Sequence, residues 1–390
     1  MGGFPPITSA VCFRIDPCCI ALSQNPLSKA AATIAGRFSR RQIGHPRRGG
    51  CVGGLAYFIR EETMKILKAM LGLTAAAAVS VLAGVASAQT YPERTITMVV
   101  PFAAGGPTDT VARLVAESMS KDLGQQIVVE NVGGAGGTLG AGRVASADPD
   151  GYTILLHHIG MATSATLYRK LAYDTLGAFD YVGLVTEVPM TIVARKDMEP
   201  TDLKGLIDYI KANKDKVTVA NAGIGAASHL CGMMFMSAIQ TPLTTVPYKG
   251  TGPAMTDLLG GQVDVMCDQT TNTTKQIQGG TIKAYAVTSP KRLDVMKDIP
   301  TAVEAGLPGF EVGIWHGIYT PKGTPAEVNE RLSKSLQVAL KDPNVGARFA
   351  ELGTAPSSDA DATPAALKAK LETEIARWKT VIEAAGEYAD

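Results

Sequence analysis

Three observations predict an α/β protein of two domains. Strand-like runs at 95–100, 127–130, 152–156, 217–220, 263–267 and 284–287 alternate with helical stretches, the pattern of mostly parallel sheets flanked by helices. From residue 89 onward about 302 residues remain, more than one core comfortably holds. Two long apolar stretches, 181–194 and 312–320, break the alternation and read as two interdomain crossings. Domain 1 is therefore expected at 89–194 and 313–390, and domain 2 at 195–312.

The amino terminus precedes these elements. Met64 opens an export signal, with Lys65 and Lys68 ahead of an uncharged apolar run and Ala86, Ser87, Ala88 as the cleavage site before Gln89. The competing reading, a membrane anchor, is weaker because the run is rich in Ala, Gly and Ser and ends in A-x-A. The protein is thus expected in the periplasm, with residues 64–88 removed. Residues 1–63 show no periodic pattern and read as a non-native upstream extension, with a real targeting segment as the alternative. Removing 1–88 takes away ten basic and three acidic residues. It leaves 27 against 33, so the net charge moves from +1 to near −6 and nothing points to nucleic acid. Of six cysteines only Cys231 and Cys267 remain, both in apolar contexts; buried free thiols are expected, a bridge being the alternative.

In the first strand, 95–100 is β-branched and apolar, while Val111, Leu114, Val115 and Met119 recur at helical spacing. The turn between them holds Gly105 and Gly106, and Pro107 suits the first helical position. Unpaired amides at such a helix start form an anion site, so a carboxylate or phosphate would fit. The helix at 202–214 carries Leu203, Leu206, Ile207 and Ile210 on one face. Strand 217–220, a turn at 221–227 with Gly223 and Gly225, and a helix opened by Ser228 and His229 repeat the first arrangement, and two such turns could clasp one small anion. The bland alternative is that Ser228 only caps its helix and His229 only packs. Asp268 lies just past a strand, at a loop end or a site edge. The tail adds two helices, one carrying Val328, Leu332, Leu336 and Leu340, the other Leu367, Leu371, Ile375, Trp378 and Ile382.

Enzyme signatures largely fail: there is no Walker loop, no Gly-x-Ser-x-Gly and no HExxH. The glycines Gly133, Gly134, Gly136, Gly137, Gly140 and Gly142 lack the dinucleotide-binding spacing and read as a site of close backbone approach or a flexible turn. His157, His158 and His316 are too scattered to specify a metal. No metal, cofactor or catalytic residue is assigned.

The segments PFAAGGPTDTVAR, LYRKLAYDTLGAFDYV, ANAGIGAASHL, VPYKGTGPAMTDLLGGQVDVMCD, AVTSPKR, DIPTAVEAGLPGFEV and WHGIYTPKGTP, in this order, resemble the periplasmic solute-binding proteins of the tripartite tricarboxylate transporter type, the Bug family. The resemblance covers essentially all of the chain after the signal. It implies a two-domain clamshell that closes on a small organic carboxylate, mono-, di- or tricarboxylic and aromatic acids included, and delivers it to membrane subunits; a monomer is expected. It further implies ligand contacts at Phe102, Ala104, Gly105, Gly106 and Asp109, at a loop of Gly160, Met161, Ala162, Thr163 and Ser164, and at Ser228, His229, Thr251 and Asp268. Departures are Ala104 in place of the usual proline, Pro107 in place of a small flexible residue, and His157, His158 and Met161 in the loop. The other classes are a secreted hydrolase or isomerase using Ser228, His229 and Asp268, and a regulator's effector-sensing domain, which would need a DNA-binding helix-turn-helix that the sequence lacks.

Overall fold

The computed structural model describes residues 91–389 apart from Glu387, together with Met64. The upstream extension, the signal segment and its cleavage point therefore lie outside the described residues, Met64 itself excepted. Among the described residues nine strands form: β1 Ile96–Val100, β2 Ile127–Asn131, β3 Thr153–His158, β4 Phe179–Arg195, β5 Thr218–Asn221, β6 Thr244–Pro247, β7 Val265–Gln269, β8 Ile282–Val287 and β9 Gly313–Pro321. The α-helices are α1 Pro107–Leu123, α2 Thr138–Ala145, α3 Gly160–Leu167, α4 Leu203–Ala212, α5 Ala227–Ala238, α6 Thr251–Leu259, α7 Thr270–Gln278, α8 Ala326–Lys341, α9 Pro343–Glu351 and α10 Pro364–Ala385. None of the described helices is long and apolar enough to cross a membrane.

The strands follow the order β2-β1-β3-β9-β4-β7-β5-β6, with β8 also paired to β4. Parallel pairing joins β1 to β2 and β3, and β5 to β6 and β7. Every antiparallel pairing involves one of the two long apolar strands, β4 or β9. These are the stretches that the sequence marks as crossings. The first part of β4 pairs with β9 as far as Pro189 opposite Gly313, and from Met190 onward β4 pairs with β7. Proline has no N–H to give to a ladder, so it fits where the strand leaves one sheet for the next. The result is a two-lobed α/β clamshell in which β4 runs from one sheet into the other, while β9 pairs only within the first.

The hydrophobic pattern builds each element. Ile96, Met98, Val99 and Val100 of β1 are fully buried, as a strand covered on both faces must be. In α1 Pro107 stands in the first turn and Gly124 ends the helix in the left-handed conformation, which a residue without Cβ adopts freely. Helix α4 buries Leu203, Leu206 and Ile210 and is capped by the Asp202 carboxylate, which accepts the Gly205 N–H at 2.7 Å. Helices α8 and α10 bury the leucines the spacing picks out, with Trp315, Phe179 and Tyr319 of the two long strands fully buried as well. Burial of side chains of that size contributes roughly 1.5 to 3 kcal/mol each.

Two expectations are corrected. The short strand β6 is mostly exposed and carries no alternation, so sequence pattern misses it; it is held at the sheet edge by parallel pairing to β5. Cys231 and Cys267 are not free thiols: they form a disulfide between α5 and β7, with Cα atoms 5.8 Å apart.

Candidate functional site

Both glycine-bearing turns meet at one small cavity, lined from one lobe by Phe102, Gly106, Pro107, Thr108 and His158 and from the other by Ala222, Ala227, Ser228, Thr251, Asp268 and Gln269. Its volume is about 10 Å³, room for roughly one water molecule, so a larger guest enters only when the lobes part. Four helices begin at this cavity: α1 after Gly106, α5 after Ala226, α6 after Gly250 and α7 after Gln269. None of the four has a side chain capping its first amides. Helices α4, α9 and α10 are capped by Asp202, Asp342 and Thr363, while α2, α3 and α8 also lack a side-chain cap, so the cleft is marked by where the four N-termini meet and not by the missing caps alone. Uncapped N-termini present unpaired N–H groups and the positive ends of helix dipoles, and no lysine or arginine lines the cavity.

The polar side chains add donors in the same sense. Ser228 Oγ accepts the Ala222 N–H at 2.9 Å, which leaves its own proton to give. His158 Nδ1 accepts the Gly160 N–H at 2.9 Å, His157 Nδ1 the His158 N–H at 2.8 Å, and His229 Nδ1 the Gly225 N–H at 3.3 Å. An accepting Nδ1 puts the ring proton of a neutral imidazole on Nε2, so each ring carries a donor there, and of the three rings only that of His158 lines the cavity. The rings stay neutral. Burial takes His157 down to about 3, with His316 adding to the effect, puts His158 well below its ordinary value, and takes His316 to about 3 and His229 to about 4. His158 stacks on Phe102 with centroids 4.5 Å apart and meets His316 edge-on.

Asp268 is the one carboxylate at the cavity, and it is 1% exposed. Its oxygens accept the Gln269 N–H at 2.8 Å and the Asn272 side-chain N–H at 2.5 Å. Burial nevertheless pushes its pKa up to about 6 against these bonds. The Thr251 hydroxyl is near enough to oppose that rise, although it makes no bond of full hydrogen-bond geometry.

Of the residues singled out from sequence, Phe102, Gly106, Ser228, Thr251 and Asp268 border the cavity. The rest do not, each for a local reason. Asp109 is spent inside the turn: it accepts the Gly105 N–H at 3.0 Å, the Asn131 side-chain N–H at 3.0 Å and the Arg113 guanidinium. Burial would raise its pKa, but these bonds prevail and hold it below the usual carboxylate value. The Gly105 amide is thereby engaged too, and Ala104 and Gly105 are exposed. Gly160, Met161, Ala162, Thr163 and Ser164 form the start of α3 rather than a loop. They are buried, with the Ser164 hydroxyl turned to Met161 O and that of Thr163 to Gly225 O. His229 buttresses the turn through Gly225 instead of lining the cavity. Sequence reasoning omits Pro107, Thr108, His158, Ala222, Ala227 and Gln269. Pro107, Thr108, Ala227 and Gln269 are chain neighbours of expected residues, Ala222 lies in the 221–227 turn that the sequence singles out, and His158 stands out only as a departure from the family pattern.

Ser228, His229 and Asp268 do not assemble into a catalytic relay, since each is bonded to a different backbone amide and none to another. Among the described residues no three His, Cys, Asp or Glu are grouped to hold a metal.

A two-lobed α/β shell with a cleft rich in backbone donors and lined by no lysine or arginine defines a solute-binding protein of the periplasmic type. Residues 111–387 match the family described as the tripartite tricarboxylate transporter family receptor, TctC, and the chain belongs to it. It is 56% identical over 309 residues to a UPF0065 protein encoded in the TAR-I ttuE-ttuC' intergenic region of Agrobacterium vitis, covering 79% of this chain and 89% of that one. The solved structure of the periplasmic binding protein BugD is 55% identical with a TM-score of 0.75, covering 77% of this chain and all of that one. MatC from Rhodopseudomonas palustris, solved with bound malate, is 43% identical with a TM-score of 0.72, covering 75% of this chain and all of that one.

Proposed function

We propose that this protein captures a small organic carboxylate in the cleft between its lobes and hands it to the membrane subunits of a tripartite transporter. It works as a monomer and by binding without turnover. The observation that carries the reading is the convergence of four uncapped helix N-termini on a cavity without cations. Such donors fit the dispersed charge of a carboxylate, and the malate found in MatC supports the ligand class. The lobes in this reading are 89–194 with 313–390, and 195–312. Ligand-binding roles fall to Gly106, Ser228, Thr251, Asp268, Phe102 and His158.

A thermal-shift screen over mono-, di- and tricarboxylates and aromatic acids tests it: one class should raise the melting temperature by the equivalent of a few kcal/mol at saturation, with the acid recovered unchanged. No response to any acid, or conversion of one, would refute the reading. With the responding acid, Ser228→Ala should weaken binding by about 1 to 2 kcal/mol, the loss of one hydrogen bond to a charged acceptor. Undiminished affinity would remove Ser228 from the site.

We also propose that translation starts at Met64 and that export leaves a chain beginning at or near Gln89. N-terminal sequencing of periplasmic material decides this, and peptides from residues 1–63 in the exported protein would overturn it.

A further inference from the structure

Gly133 and Gly136, which fit no cofactor motif, meet the 224–252 segment across the cleft. A Cβ on Gly133 would stand 2.6 Å from Lys249 O, and one on Gly136 would run into Ile224 O. From the other side, a Cβ on Gly250 would lie 2.8 Å from Ala103 N, and one on Gly252 would lie 2.7 Å from Ala104 O and 3.2 Å from Gly106 N. The same seam carries direct lobe-to-lobe hydrogen bonds: Ala103 N–H to Lys249 O at 2.9 Å, Tyr168 O–H to Ile224 O at 2.8 Å and Thr163 O–H to Gly225 O at 2.9 Å. Backbone therefore rests on backbone, which only residues without side chains permit.

We infer that this glycine seam is the surface on which the lobes close and that Gly252 sets how far they close. The inference rests on the carboxylate-binding clamshell proposed above. Gly252 is the informative position because it is the second residue of α6, its backbone is not left-handed, and the three nearest atoms to an added Cβ all belong to the opposite lobe's 104–106 turn. Alanine there suits the helix better than glycine. It should leave the fold at least as stable while wedging the cleft ajar, an outcome opposite to that of a damaged core.

The test compares the wild type, Gly252→Ala and a control, Gly346→Ala, whose added Cβ meets nothing within 4 Å inside α9. Each is measured by small-angle scattering and calorimetric titration with malate. The wild type and the control should contract on adding malate. Gly252→Ala should keep its larger radius of gyration, bind malate at least tenfold more weakly, and melt no lower than the wild type. Equal contraction and equal affinity would overturn the inference. If malate contracts no variant, it is the ligand assignment that fails, and amide exchange in the unliganded proteins then decides. Protection of the Ala103 amide in the wild type that is lost in Gly252→Ala supports the seam, and identical exchange in the two overturns it.

Discussion

Replacing both Cys231 and Cys267 by alanine should lower the unfolding free energy by about 3 to 4 kcal/mol, measured by urea denaturation without reductant. The bridge closes a 36-residue loop, and the chain-entropy cost of holding such a loop in the unfolded state is of that size. It joins α5 three residues beyond Ser228 to β7 one residue before Asp268, so it ties together two polar side chains of the cleft. Reductant present throughout unfolding should take the wild type most of the way to the variant and leave the variant unmoved. A wild type that unfolds identically with and without reductant would refute the bridge.

Asp268→Asn should act in the other direction, stabilising the ligand-free protein at pH 8 by about 1 to 3 kcal/mol. Burial raises the Asp268 pKa from 3.8 to about 6, so folding disfavours its charged form. Below pH 3.8 the group is protonated in both states and costs nothing. Between 3.8 and about 6 the folded state holds the proton more tightly, so its contribution falls as pH rises, and above about 6 the full penalty stands. The difference in stability between variant and wild type should therefore be small at pH 4 and grow to its plateau by pH 7. Asparagine keeps an acceptor for the Gln269 N–H, and turning the Asn272 amide restores the other bond. A difference that is flat across this range would show that Asp268 titrates normally.

Much of this was legible in the sequence because it rests on local pattern. Period-two and unbroken apolar runs marked β1 and the long strands β4 and β9, and the Gly-Pro step before Thr108 marked the start of α1. The 160–164 segment, taken as a loop from the family resemblance, is the start of α3, and its five residues are buried. Asp109 entered the expected site through the family resemblance, and its place at a helix start is compatible with that. Whether its carboxylate turns outward or back to Gly105, Asn131 and Arg113 depends on Asn131, which arrives from a different strand.

The sequence by itself determined the α/β class, the two long apolar strands β4 and β9, the two glycine turns and the family, since each is written in contiguous residues. Only the tertiary structure decided which amides stay unpaired, that α6 and α7 also begin at the cleft, that His158 joins its wall, that Cys231 pairs with Cys267 and that Gly136 and Gly133 face Ile224 and Lys249. The reason is physical: hydrogen-bond satisfaction and steric contact are properties of pairs, and the partners here stand 36 to more than 100 residues apart, beyond the reach of any local pattern.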